Sequence, residues 1–182
     1  MDEDLRDVMV YDEAHYFGIG DEILLGGVIT EMTESSNPTE SEKQYIHQKS
    51  KTTKITGFSN EFPLTMDMVK GDKVFEHMYN LFYRRKTGSD LEIPHYIVNL
   101  WEPVEGKQNT FKARKIIQSC NITECNGAAG EQKQITGSLK GGDFVYGEFD
   151  VSNKTFTDEE SAEAVATLAV KKTTTSTTAK TE

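Results

Sequence analysis

The sequence predicts a mainly β protein with one α-helix, an α+β fold. Three observations carry this prediction. Apolar and β-branched residues alternate with polar ones in several separate segments. One stretch alone, D-K-V-F-E-H-M-Y-N-L-F-Y-R-R-K, shows strong helical spacing. Clusters of Gly, Asn, Asp and Ser punctuate the segments between them.

Residues 1–28 alternate weakly, through Val8 and Val10, then Tyr16, Phe17 and Ile19, then Ile23, Leu24 and Leu25. They are expected to form an acidic N-terminal arm with short strands. The main domain is expected over residues 29–157, beginning with a strand at V-I-T-E-M-T. Residues 34–50 are polar and interrupted by Asn37-Pro38, which predicts a long exposed loop. Residues 52–66 alternate. Lys54, Thr56, Phe58, Asn60, Phe62, Leu64 and Met66 share one side of a regular strand. Pro63 is expected to end or bend that strand, because proline has no N–H for a central ladder.

The helix is predicted over residues 72–87. Asp72 is its N-cap. Val74, Phe75, Met78, Leu81 and Phe82 form one apolar face, expected to pack on the sheet. Arg84, Arg85 and Lys86 suit the negative end of the helix dipole, and Gly88 suits a left-handed cap. Strands are expected at residues 95–101 and 111–123. Residues 132–139 and 143–151 are expected to pair as a hairpin across Lys140-Gly141-Gly142, since Gly-Gly accepts positive φ angles. A short strand at 154–156 closes the domain. Residues 158–182 are weakly helical and then Thr-rich, a composition that cannot build a core. Their last dozen residues are expected to be mobile.

Charge is segregated. The chain has 182 residues and a formal net charge of −10. Residues 1–40 hold eleven acids and one base, Arg6, while the remainder balances. An acidic region repels nucleic acid rather than gripping phosphates. Such a region is either a solvated segment or a face built to repel DNA or to meet a basic partner, and Asp12, Glu13, Asp21 and Glu22 are its candidate residues. No run of 18 apolar residues occurs, so no membrane-spanning helix is predicted. The N-terminus lacks the basic and apolar regions of a secretion signal.

Catalytic and metal-binding patterns are weak. The histidines His15, His47, His77 and His95 show no zinc-ligand spacing, and Cys120 and Cys125 have no second pair. On one extended strand those cysteines would lie roughly 16 Å apart and on opposite faces, too far to bridge. Gly18-Ile19-Gly20 lacks a third glycine and a following helix. No G-x-S-x-G elbow occurs. The expectation is a non-enzymatic protein without cofactor or metal, acting through its surfaces.

The order of elements resembles that of the major tail proteins, or tail tube proteins, of long-tailed phages and prophages of Gram-positive bacteria. The segments that carry the resemblance are K-T-T-K-I-T-G-F before the helix, then the helix and its exit turn T-G-S-D. After them come I-V-N-L-W-E-P, N-T-F-K-A-R-K and the closing I-T-G-S-L-K-G-G-D-F-V-Y-G-E-F-D-V-S-N-K-T-F-T. Together they span about residues 45–157.

The resemblance implies a β-sandwich or barrel flanked by a single helix, and a virion structural protein made in the host bacterial cytoplasm. It implies hexameric rings that stack into a tail tube, a conduit through which DNA passes without specific binding. The implied partners are further copies of the chain, a tape-measure protein and the tail initiator and terminator proteins. In such an assembly the polar segment carrying Glu34, Asn37, Glu40, Glu42, Lys43 and Lys49 is the candidate for reaching the neighbouring ring. For Asp12, Glu13, Asp21 and Glu22 the resemblance implies a place at the tube lumen or a seam between subunits. Two alternatives stay open: a tube protein of a contractile tail or secretion system, and, from another class, a β-sandwich adhesin or carbohydrate-binding module.

Overall fold

The computed structural model describes residues 7–47 and 49–159. It is mainly β with one α-helix among the described residues. The expected C-terminal tail lies outside them from residue 160 onward, as do the first six residues. The strands are β1 (Glu13–Ile19), β2 (Glu22–Leu25), β3 (Ile29–Met32), β4 (Pro38–Lys43), β5 (Thr52–Phe58), β6 (Glu61–Asp67), β7 (Glu92–Pro103), β8 (Thr110–Asn126), β9 (Gln134–Lys140), β10 (Val145–Asp150) and β11 (Thr155–Asp158). The helix α1 covers Lys73–Tyr83, and 3-10 turns cover Val10–Asp12 and Gly88–Leu91.

The chain divides into two compact units. One is built from Phe17–His95 and Ile116–Asp143, the other from residues 7–16, 96–115 and 144–159. The strands β1, β7 and β8 continue from one unit into the other.

In the larger unit the hydrogen-bonded order is β2-β1-β7-β8-β9-β6-β3. Its core holds Phe17, Phe62, Leu64, Met66, Ile93, Ile135 and Leu139. His95 is fully buried there, stacked on Phe17 at 4.8 Å and edge-on to Phe62 at 5.2 Å. Its Nδ1 lies 2.9 Å from Gln118 Oε1, so this histidine is a satisfied core residue. Cys120 is buried and Cys125 exposed, but not because they face opposite ways. The register shift between Ile122 and Glu124 sets them opposite Leu139 and Ile135, on the same face of the sheet, where simple alternation predicted opposite faces. Burial pushes the Cys120 thiol up to about 12.

Pro63 does not end its strand. It lies inside β6 opposite Ser138 of β9. Its carbonyl accepts from the Thr33 N–H at 3.1 Å, on the β3 side. A residue's N and O point to the same side of a strand, so the missing N–H falls where the short β3 has already stopped, and the β6–β9 ladder is intact. The alternating run breaks instead at Ser59-Asn60, between β5 and β6. The Asn60 carbonyl accepts from Gly141 N at 2.9 Å, and its side-chain amide donates to the Gly142 carbonyl at 3.1 Å.

The expected hairpin across Gly141-Gly142 does not form. Strand β9 pairs with Ser119–Asn126 of β8, and β10 pairs with Thr110–Lys115 of the same strand. The two strands therefore serve successive stretches of β8, both antiparallel to it. Gly141 and Gly142 do take positive φ, 83° and 84°, but they bend an extended path rather than reverse it. Gly142 is also required by contact, because a Cβ there would sit 2.2 Å from the Ile117 carbonyl oxygen.

The helix begins as expected, with the Asp72 carboxylate accepting from the Phe75 N–H at 2.8 Å. Val74, Phe75, Met78 and Leu81 are buried. Phe82 is half-buried, with the Arg85 guanidinium 4.7 Å from its ring centre. The helix ends earlier than Gly88. Lys86 N donates to Leu81 O at 3.0 Å and Arg85 N to Phe82 O at 3.2 Å, the two bonds of a Schellman cap. Arg85, at φ 50°, takes the left-handed position expected of a glycine. Gly88, also left-handed at φ 66°, opens the 3-10 turn that follows.

In the smaller unit an aromatic cluster forms the core. Tyr16 and Tyr96 lie 4.8 and 5.8 Å from Phe149, and Phe156 lies 5.7 Å from Tyr96. Burial raises both tyrosine hydroxyls above their ordinary range. Strands β10 and β11 close as a hairpin with Asp150 opposite Thr155. The Asp150 carboxylate accepts from Asn153 and Ser152 across the turn, which lowers its pKa.

Candidate assembly surface

The segment 34–50, expected to be a long exposed loop, contains β4. Together β4 and β5 make a two-stranded sheet of their own. Its pairs run Pro38↔Phe58, Thr39↔Gly57, Glu40↔Ile55, Ser41↔Lys54, Glu42↔Thr53 and Lys43↔Thr52, with a bulge between Thr39 and Glu40. The composition hides this strand, because Glu, Ser, Lys and Pro are poor β formers. Apart from Thr39, β propensity comes from the partner's Thr-rich sequence.

The base of this arm is fixed. Ser35 and Glu61 exchange two backbone hydrogen bonds of 2.8 Å each. Ser59 N donates to the Ser36 and Asn37 carbonyls at 3.0 and 3.2 Å, and Asn37 returns its side-chain amide to Ser59 O at 3.3 Å. Asn37 accepts a left-handed φ of 38°, which asparagine tolerates better than most residues. Farther along, Thr56 Oγ1 donates to Thr39 O at 3.1 Å, and Lys51 meets Glu42 at 2.7 Å.

Almost every residue of the arm is exposed on both faces. The arm exposes the apolar side chains Tyr45 (58% exposed), Ile46 (109%), Ile55 (57%) and Phe58 (64%); a second exposed apolar group, Val8 to Tyr11, lies near the N-terminus. Cross-strand partners share a face and neighbours along a strand oppose each other. The register therefore places Glu40, Glu42, Thr53 and Ile55 on one face. Ser41, Lys43, Thr52, Lys54 and Thr56 lie on the other, where they line a shallow cleft with Tyr45. Of the sequence-predicted candidates, Glu34 and Asn37 stand at the base of the arm and Glu40, Glu42 and Lys43 on β4. Lys49 follows the tip, before β5.

The candidate acids near the N-terminus take different positions. Asp12 is buried and closes its 3-10 turn, accepting from Met9 N at 2.9 Å. Glu13 is half-buried and 3.2 Å from His15 Nε2. That hydrogen bond holds its carboxyl below the usual range against the opposing effect of burial. Asp21 sits exposed in the β1–β2 turn beside Gly20. Glu22 begins β2 and pairs with Lys73 at the start of α1, at 2.5 Å.

Among the described residues no group of three or more His, Cys, Asp or Glu side chains could hold a metal ion. No helix there is long and apolar enough to cross a membrane.

No protein-family model matches the chain, and no curated protein matches it significantly. Among solved structures, the chain is similar to one chain of the cryo-EM structure of the anti-feeding prophage baseplate. The TM-score is 0.47 and the identity 7%, over 78% of this chain and 96% of the other.

Proposed function

We propose that this protein is a virion structural subunit that self-assembles into stacked rings of a phage tail tube. The observation that carries the reading is the β4–β5 arm. A two-stranded sheet is marginal by itself in water. This one displays Ile46, Ile55, Phe58 and Tyr45 to solvent. Exposed apolar side chains on a two-stranded sheet whose outer edges have no partner strand mark an interaction surface. The order of the tail-tube-like sequence segments supports the same reading, with the arm in the position of the inter-ring element. The protein acts through surfaces rather than by catalysis, its partners being further copies of itself and the tape-measure and tail initiator proteins. DNA transits without specific contacts, consistent with the chain's acidic balance.

Negative-stain microscopy of the concentrated full chain, alone and with the tape-measure protein and initiator complex, tests this. Rings or tubes of uniform diameter are expected. A protein that stays monomeric across salt and concentration in all these mixtures would refute it.

A further inference from the structure

We propose that the two faces of the β4–β5 arm dock on one another between copies, the acidic face of one chain on the basic face of the next. The inference rests on the self-assembly reading and specifies how the arm recognises its partner.

The register segregates charge with period two. Glu40 and Glu42 share one face with Ile55, while Lys43 and Lys54 share the opposite face with the Tyr45 cleft. One face thus presents two acids with the exposed Ile55 and Phe58, the other two lysines with the exposed Tyr45. One arm therefore carries both halves of a complementary pair. Glu42 already holds Lys51 at 2.7 Å, so the acidic face is partly neutralised within its own chain, and Glu40 is the stronger anchor. A contact that joins two different faces of the same element is heterologous. It propagates head to tail, closing into rings or growing as a filament, rather than stopping at a two-fold dimer. Face-to-face strands approach to about 10 Å, close enough for charged side chains of opposing faces to meet. Basic residues beside Tyr and Thr would also suit nucleic acid. The acidic opposite face argues for a second copy, because nucleic acid would use only one side and be repelled by the other.

The test uses four full-length variants with thermal midpoint as a folding control, since every substituted side chain is exposed. K43E/K54E makes both faces acidic, and E40K/E42K makes both basic. Sedimentation velocity at matched concentrations is expected to show self-association weakened by roughly 100-fold in each double variant. A one-to-one mixture of the two doubles should restore it, because each supplies the face the other lacks. The chain carrying all four changes should also recover, its faces having simply exchanged sign. The fourth variant, I55S, should weaken association without changing its salt dependence.

Rings in the wild type with association unchanged in either double variant would overturn face-to-face docking while leaving the tube reading intact. The charge-swap pattern in a protein that forms no rings would do the reverse. A wild type monomeric throughout overturns both. Binding of a labelled duplex at 0.15 M salt, lost in K43E/K54E while self-association is unchanged, would assign the basic face to nucleic acid instead.

Discussion

Strands β5 and β6 are separated by only two residues and read alike in sequence, yet they have opposite fates. Along Thr52–Phe58 nearly every side chain is exposed, Phe58 and Ile55 included. Along Glu61–Asp67, Phe62, Leu64 and Met66 are buried on one face and the residues between them are not. The difference is one of covering. Strand β6 has β9 on one side and β3 on the other, with a packed core against one face. Strand β5 has only β4. Alternation therefore reports that a segment is extended and two-sided, not that either side is covered within the same chain. In the proposed assembly, the bare alternating strand is the surface that a second copy of the chain completes.

The sharpest way to break this comparison is to truncate equivalent aromatics. Phe62→Ala removes a fully buried ring and is expected to cost about 3–5 kcal/mol in urea denaturation. Phe58→Ala should stay within about 0.5 kcal/mol in the dilute monomer. A loss above about 2 kcal/mol at Phe58, of the size cavity-forming truncations produce, would mean the arm is packed within its own chain.

Glycines give a second contrast. At Gly137 in β9 an added Cβ would lie 2.5 Å from the Asn121 carbonyl oxygen, whereas at Gly57 in β5 it meets nothing within 4 Å. Gly137→Ala is expected to cost about 1–3 kcal/mol or more through overpacking. Gly57→Ala should be neutral or stabilising by up to about 1 kcal/mol, since alanine restricts the unfolded chain. Equal effects, read from the same denaturation curves, would contradict the different covering of the two strands.

Smaller effects belong to the helix ends. Asp72→Ala removes the side-chain cap on Phe75 N and should cost about 1 kcal/mol. Arg85→Gly relieves a left-handed φ of 50° but gives up the guanidinium over Phe82. These terms are of similar size, about 1 kcal/mol each, so the net change should fall within about 0.5 kcal/mol of zero. A destabilisation clearly above 1 kcal/mol, enough to exceed the backbone gain, would show that the cation–π contact dominates.

Much of the fold is legible in the sequence where local chemistry acts alone. The apolar spacing of Val74, Phe75, Met78 and Leu81 and the Asp72 cap need no knowledge of partners. The unexpected features are those decided by distant residues. Pro63 is tolerated because β3 ends beside it. Gly141 and Gly142 bend rather than reverse the chain because β8 offers edge on both sides of them. Along β8 the buried residues are Thr110 and Ala113 in the smaller unit and Ile116, Gln118, Cys120 and Ile122 in the larger, so no single alternating set describes the strand. The site was half visible. The polar segment 34–50 could be marked as exposed, but its strand depends on pairing with residues 9 to 20 positions away, from Lys43↔Thr52 to Pro38↔Phe58. The charge separation follows only once the Glu40–Ile55 and Ser41–Lys54 register is known.

Amide hydrogen exchange on the dilute and assembled protein tests the central claim most directly, because it reads each strand separately. The backbone amides of β4 and β5 should exchange quickly in the dilute chain and become protected by at least about tenfold on assembly, the scale of about 1.4 kcal/mol. Those of β6 and β9 should be slow in both states. Arm amides that exchange equally fast in rings and in dilute protein would contradict the account, since assembly would then leave bare the surface it is argued to cover.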